Sequence, residues 1–112
     1  MRRVKKLTAA LALAAVASLV PAAADAVAIR REGVMAEEFS AWKGVRVCDE
    51  KADGNSVYSL YNRDSGSSHR LENFDGNGTC QLSGTSGNLV SRFKACNNLG
   101  ARPDPCTGYV ER

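Results

Sequence analysis

At 112 residues the chain has the size of one small domain, and its formal net charge of +3 comes from 15 basic and 12 acidic residues. Residues 1–26 hold four of the basic residues and one of the acidic ones, so residues 27–112 carry eleven of each. A neutral remainder with scattered basic residues argues against a nucleic-acid partner and against a protein that binds anionic membranes.

Residues 1–26 have the pattern of a signal peptide. A basic start is followed by a mildly apolar run of 14 residues, from Leu7 to Val20. That run is shorter than the ~20 residues that a membrane-spanning helix needs. Ala24-Asp25-Ala26 then presents small residues at the positions that a signal peptidase recognises. We therefore expect cleavage near Ala26 and a secreted, extracellular protein with no membrane anchor.

Residues 27–43 form the next segment, an N-terminal arm or short helix. Met35, Phe39 and Trp42 recur with the spacing of one face of a helix, and Gly44 is a typical helix stop. This pattern predicts one short helix that packs on a sheet. The alternative is an irregular arm from which Trp42 alone reaches the core.

Residues 44–112 predict a disulfide-stabilised β domain. Short alternating runs are separated by Gly/Ser/Asn turns, which favours a small antiparallel sheet or sandwich of about five strands. We expect Val47, Leu89 and Phe93 on the core side. The predicted strands lie near residues 45–48, 57–61, 69–74, 89–96 and 107–110.

Four cysteines, all after the predicted leader, indicate a two-disulfide framework. There is no C-x-x-C motif and the single histidine is distant in sequence, so a zinc site is disfavoured. Cys96 and Cys106 flank a turn-rich loop between two predicted strands, which favours the pairs Cys96–Cys106 and Cys48–Cys80. The pairing Cys48–Cys96 with Cys80–Cys106 remains an alternative, because Cys48 and Cys96 both end strands on the charged side.

The order of these motifs resembles a group of small secreted two-disulfide proteins of actinobacteria. The resemblance covers residues 44–110 and rests on Val45–Asp49, Asp75–Cys80, Phe93–Cys96 and Cys106. It implies a secreted β domain, and since that group is largely uncharacterised it implies no catalytic or binding residue. There is also a loose similarity to four-cysteine α-amylase inhibitors, from which the chain departs in cysteine spacing and in lacking a Trp-Arg-Tyr segment.

Candidate catalytic and metal-binding residues are few. His69 lies beside two serines, but no G-x-S-x-G motif or orienting carboxylate accompanies it. Glu72 and Asp75 could form an acid/base pair only in a deep cleft, which a small stapled sheet rarely provides. Asn73–Gly78 imitates half of a calcium loop, yet position 12 of that loop falls on Gly84. We therefore assign no catalytic residue, no metal and no cofactor.

The function most consistent with this pattern is extracellular binding of a protein or cell-envelope component. Small rigid sheets with variable loops suit that role. The binding candidates are Arg63, His69 and Arg70, together with whichever of Tyr58 and Tyr61 points outward. The alternatives are an inhibitor of a secreted hydrolase and a small hydrolytic enzyme that uses His69.

Overall fold

The computed structural model describes residues 26–112, which form eight β-strands and no helix. The strands are β1 (Ala28–Arg31), β2 (Val34–Phe39), β3 (Gly44–Asp49), β4 (Val57–Arg63), β5 (His69–Asn73), β6 (Cys80–Leu82), β7 (Val90–Asn97) and β8 (Val110–Glu111). Apart from Ala26, the predicted signal peptide lies outside the described residues. Among residues 26–112 there is no long apolar helix that could span a bilayer.

The strands form two four-stranded antiparallel sheets. The first sheet has the order β1-β2-β3-β6 and the second the order β5-β4-β7-β8. Fully buried side chains of both sheets belong to one hydrophobic cluster, so the sheets face each other as a sandwich. The prediction of a mainly-β antiparallel domain is confirmed, with eight strands in place of about five.

The core consists of inward side chains from both sheets, which alternate along each strand except at one irregularity in β7. The first sheet contributes Val34, Ala36, Val45 and Val47, and the second contributes Val57, Tyr61, Val90, Phe93 and Ala95. Val47 and Phe93 are fully buried, as their alternation predicts.

The helix predicted from Met35, Phe39 and Trp42 is wrong. Residues 34–39 form the inner strand β2, which pairs with β1 on one side and β3 on the other. As a strand, this segment places Val34 and Ala36 in the core. Met35 and Phe39, four residues apart, share a face in a strand as they do in a helix, so their spacing does not distinguish the two.

Trp42 does reach the core, from a left-handed turn between β2 and β3. Ser40, Ala41 and Trp42 have φ angles of 57°, 55° and 67°, a conformation that costs roughly 1–2 kcal/mol per residue. The buried carboxylate of Glu38 accepts a hydrogen bond from the Trp42 amide at 3.0 Å, and the Trp42 ring lies 5.8 Å from that of Phe93. These contacts offset the strain and fix the turn.

A β-bulge changes which residue of β7 enters the core. Asn62 pairs with Arg92, but the next residue, Arg63, pairs with Val90. This shift turns Val90 inward, where it is fully buried, and leaves Leu89 half-buried. Leu89 was expected in the core and Val90 takes its place there.

The two disulfides have the pairing that the strand geometry favours. Cys48–Cys80 joins β3 to β6, and Cys96–Cys106 joins β7 to the segment that leads into β8. In both pairs the two residues are direct cross-strand partners, with Cα atoms 4.0 and 4.1 Å apart.

Candidate binding face

The outward side of the second sheet carries a group of aromatic and basic side chains, of which Arg70 is exposed, Tyr58 is buried beneath it at 5% exposure, and the others are half-buried. Its inward residues include Ser59, Tyr61, Phe93 and Ala95, so the residues between them point away from the core. We call this surface the cation–aromatic face. It comprises Tyr58, Leu60, Arg70, Arg92, Lys94 and Tyr109.

The register places these side chains in a compact grid. Leu60 is the direct partner of Arg70 on β5 and of Lys94 on β7, so an apolar side chain separates two cations. Arg92 lies in the next row, opposite Asn62. The grid therefore alternates charged and apolar surface across three strands.

Two cation–π stacks border the grid. The guanidinium carbon of Arg70 lies 3.6 Å from the ring centre of Tyr58. At the other side, the guanidinium carbon of Arg92 lies 3.9 Å and the Nζ atom of Lys94 4.8 Å from the ring centre of Tyr109. Each stack holds a flexible cation against a rigid ring and leaves its outer N–H groups available.

Hydrogen bonds fix the first stack from both ends. The Tyr58 hydroxyl donates to Asp104 at 2.5 Å, and Asp104 also accepts from the Leu99 amide at 2.9 Å. The Arg70 Nε atom donates to Glu72 at 2.9 Å. The 98–104 loop is thereby tied to β4, and Arg70 is held along β5.

Three groups of this network have shifted pKa values, that of Tyr58 upward and those of Asp104 and Glu72 downward. Burial and the hydrogen bond to Asp104 raise the pKa of Tyr58. The Tyr58 hydroxyl and the Leu99 amide lower the pKa of Asp104. Burial opposes ionisation of Glu72, but its hydrogen bonds from Arg70, Ser56 and Asn98 outweigh burial and lower its pKa. Both carboxylates are therefore charged at neutral pH.

The second stack depends on the Cys96–Cys106 disulfide. Cys96 is the β7 residue opposite Tyr58, and its partner begins the segment that carries Tyr109. Thr107 reinforces the link: its amide donates to the Ala95 carbonyl and its hydroxyl accepts from the Ala95 amide. Tyr109 is thus positioned by a covalent bond and two hydrogen bonds within a few residues.

The binding residues predicted from the sequence lie in three different settings. Arg70 lies on the cation–aromatic face. His69 is exposed at the start of β5, on the inward side, where its ring stacks on Tyr61 with centres 5.0 Å apart. Arg63 donates to three backbone carbonyls of neighbouring loops, those of Lys43, Gly84 and Asn88.

The other candidates also have structural partners. Glu72 is engaged by Arg70, whereas Asp75 accepts from Gln81 at 2.7 Å. Asn73 is fully buried, and its side chain holds the following turn through Thr79 and the Asp75 amide. In residues 26–112 no three His, Cys, Asp or Glu side chains converge as a metal site.

Sequence reasoning missed Arg92, Lys94 and Tyr109 as members of one surface. The available signal was the alternation of Arg92, Lys94 and Cys96 opposite the core residues Phe93 and Ala95, which puts both cations on the outward side. Tyr109 lacked such a signal, because its position depends on the disulfide.

In comparisons with known proteins, the chain matches no protein-family model, no curated protein and no solved structure.

Proposed function

We propose that residues 27–112 form a secreted binding module that holds an extracellular protein or cell-envelope component through the cation–aromatic face. The observation that carries the proposal is the grid of two cation–π stacks around Leu60. Tyr and Arg dominate the energetics of protein interfaces because they combine large contact area with directional hydrogen bonds.

The rigidity of the face supports this function. Its two tyrosines and their cations are held by the Asp104 and Glu72 hydrogen bonds and by the Cys96–Cys106 disulfide. A surface that is ordered before binding loses less side-chain entropy when the partner arrives. The two disulfides of the domain, Cys48–Cys80 and Cys96–Cys106, also support secretion, because disulfides persist in oxidising compartments.

The charges of the face indicate the chemistry of the partner. Arg70 is paired with Glu72, but Lys94 forms no ion pair with another described residue, and Arg92 donates only to the neutral amide of Asn62. A partner surface with carboxylates or other acceptors beside an apolar contact for Leu60 would complement this arrangement.

The test is capture of partners by tagged residues 27–112 from culture supernatant and cell-wall fractions. The double variant Arg92→Glu/Lys94→Glu should weaken capture by about 30-fold or more, the scale of a hot-spot loss. Arg30→Glu/Lys43→Glu is the matched control, because it makes the same change of charge at two exposed basic residues outside this face. Equal capture by the double variant and the wild type would refute this binding face.

The hydrolase-inhibitor alternative is decided by the same experiment. If the captured partner is a secreted hydrolase, its turnover should fall on addition of the wild-type domain and not on addition of the double variant. Capture of a non-enzymatic partner would reject the inhibitor and retain the binding module.

A further inference from the structure

A concave surface lies at one end of the sandwich, outside the cation–aromatic face. Its walls are the loop after β3, residues 50–56, and the turn between β5 and β6, residues 74–79. The depression has a volume of about 580 Å³, with Asp49 and Phe74 among the residues that line it. It contains no residue of the cation–aromatic face.

Asp49 is a buried carboxylate with an incomplete set of hydrogen bonds. It ends β3, its side chain follows Val45 and Val47 on the inward side, and it is only 2% exposed. One carboxylate oxygen, Oδ1, accepts from the Lys51 amide at 3.0 Å, whereas Oδ2 has no donor among the described residues. Asp49 lines the depression, and Oδ2 is not among the unpaired atoms that are sealed from solvent, Arg46 Nε and Asn97 Oδ1.

The backbone holds Asp49 firmly in this position. Its amide donates to the Thr79 carbonyl at 2.9 Å, and its carbonyl accepts from the Gly78 amide at 2.8 Å. These two bonds attach the 74–79 turn to Asp49, and the Lys51 amide attaches the other wall to its side chain. A buried carboxylate oxygen without a donor is costly, and a ligand that supplies an N–H group would remove that cost.

The surroundings of Asp49 are acidic. Asp49 and the two loops together, residues 49–56 and 74–79, contain four acidic residues and one basic residue, Lys51. Of the four, Glu50 pairs with Arg30, whereas Asp49, Asp53 and Asp75 form no ion pair with another described residue. The excess of negative charge favours a cationic ligand.

Phe74 supplies an unused aromatic surface at the same place. It is 75% exposed. All three tyrosines of the chain have a cation over the ring, at 3.6 to 5.6 Å, whereas Phe74 has none among the described residues. An exposed aromatic ring beside a buried carboxylate is suited to a planar cation that stacks and donates at once.

We infer that this depression binds the guanidinium group of an arginine side chain on a partner protein. The plane of the guanidinium stacks on Phe74 and its edge donates to Asp49 Oδ2. Arginine fits better than lysine because the guanidinium is planar and less strongly hydrated, so it loses less on entering a buried site. The inference does not depend on the proposed binding face, since the two sites share no residue.

The test uses N-acetyl-L-arginine amide as the probe and NMR titration of residues 27–112 as the readout. We expect saturable shifts of the Phe74 and Asn77 amides. The neutral isostere N-acetyl-L-citrulline amide should give none. Equal shifts with the citrulline compound would overturn the inference, because the charge would then be irrelevant.

Two variants locate the site. Phe74→Ala removes an exposed ring, and Asp49→Asn keeps the acceptor for the Lys51 amide while removing the charge. Each should weaken arginine-amide binding at least fivefold. Leu82→Ala, which truncates another exposed apolar residue at 58% exposure, is the matched control and should bind as the wild type does. Unchanged affinity in Phe74→Ala, which needs no core rearrangement, would overturn the inference even if Asp49→Asn failed to fold.

Discussion

Arg63 is a charged side chain that stabilises the fold by connecting loops. Its Nη1 atom donates to the carbonyls of Lys43 and Asn88, and its Nη2 atom donates to the carbonyl of Gly84. The side chain thus connects the β2–β3 turn to the long loop before β7. The sequence predicts a binding role for Arg63 because arginine is a common anchor residue and because a polar residue between stapled strands can change with little effect on the core.

We expect Arg63→Ala to destabilise the domain by about 1.5–3 kcal/mol, since hydrogen bonds to a charged donor fall in this range and the Asn88 carbonyl loses its donor. Urea unfolding measures the change. Arg63→Lys, which keeps the charge but reaches fewer carbonyls, should recover only part of it. If Arg63→Ala left stability within about 0.5 kcal/mol and abolished partner capture, a binding role would replace the structural one.

His69 is the residue on which the enzyme alternative depends. Its ring stacks on Tyr61 and its side chain makes no hydrogen bond to a carboxylate or hydroxyl among the described residues. We therefore expect His69→Ala to leave any activity of the protein essentially unchanged. Turnover by the purified variant is the measurement, and a loss of about 100-fold with intact folding, the scale of general-base removal, would favour the enzyme.

Single residues were predictable from the sequence where alternation alone decides their direction. Val47 and Phe93 are examples, and both are fully buried. Alternation could not decide between Tyr58 and Tyr61 as the outward tyrosine, nor foresee that a bulge would exchange Leu89 for Val90. A bulge depends on the pairing between two strands, which no run within one strand reveals.

At the scale of elements, the two disulfides have different tasks. Cys48–Cys80 closes a sequence separation of 32 residues, whereas Cys96–Cys106 closes one of 10. In the loop-entropy description, the first contributes about 4 kcal/mol and the second about 3 kcal/mol. The shorter loop, however, is the one that carries Tyr109 to the cation–aromatic face.

We therefore expect Cys48→Ala/Cys80→Ala to lower the unfolding free energy more than Cys96→Ala/Cys106→Ala. Partner capture should show the reverse order, because only the second pair positions Tyr109. Urea unfolding and capture of both double variants, measured where each is still folded, separate the two effects. Equal loss of capture in the two variants would show that the disulfides act on binding only through stability.

The helix prediction failed because the spacing of residues within one segment does not show how that segment pairs with other strands. Met35 and Phe39 fit helical spacing, but β2 is fixed by neighbours on both sides and by a left-handed turn at residues 40–42. Strands β1 and β6 were also missed, since neither has a clear alternating pattern. β1 is positioned by its Glu32-Gly33 hairpin turn with β2, and β6 by its disulfide to β3.

At the scale of the whole molecule, the sequence predicted the class of fold but not the order of the strands within each sheet. Turn spacing and cysteine count were sufficient for a stapled antiparallel β domain. They could not show that β4 and β7 would lie at the centre of one sheet, with Tyr58 and Leu60 of β4 on the same side as Arg92 and Lys94 of β7. The cation–aromatic face is a product of that strand order, so it becomes visible only when the sheet is assembled.

Acid should destabilise the whole molecule through three carboxylates with lowered pKa values. Hydrogen bonding lowers the pKa of Asp53, chiefly from the Asn55 amide, and the pKa values of Glu72 and Asp104 are lowered within the Tyr58 network. In the unfolded chain these groups titrate near pH 4, so as the pH falls the unfolded state takes up protons first. The stabilisation that these three carboxylates contribute is therefore complete above about pH 5, and it is lost as the pH falls through their lower pKa values in the folded state.

Urea unfolding between about pH 7 and pH 2 should show this decline in the unfolding free energy. The double variant Glu72→Gln/Asp104→Asn should flatten the decline while lowering stability at neutral pH. An unchanged slope in that double variant would mean that other carboxylates control the acid response.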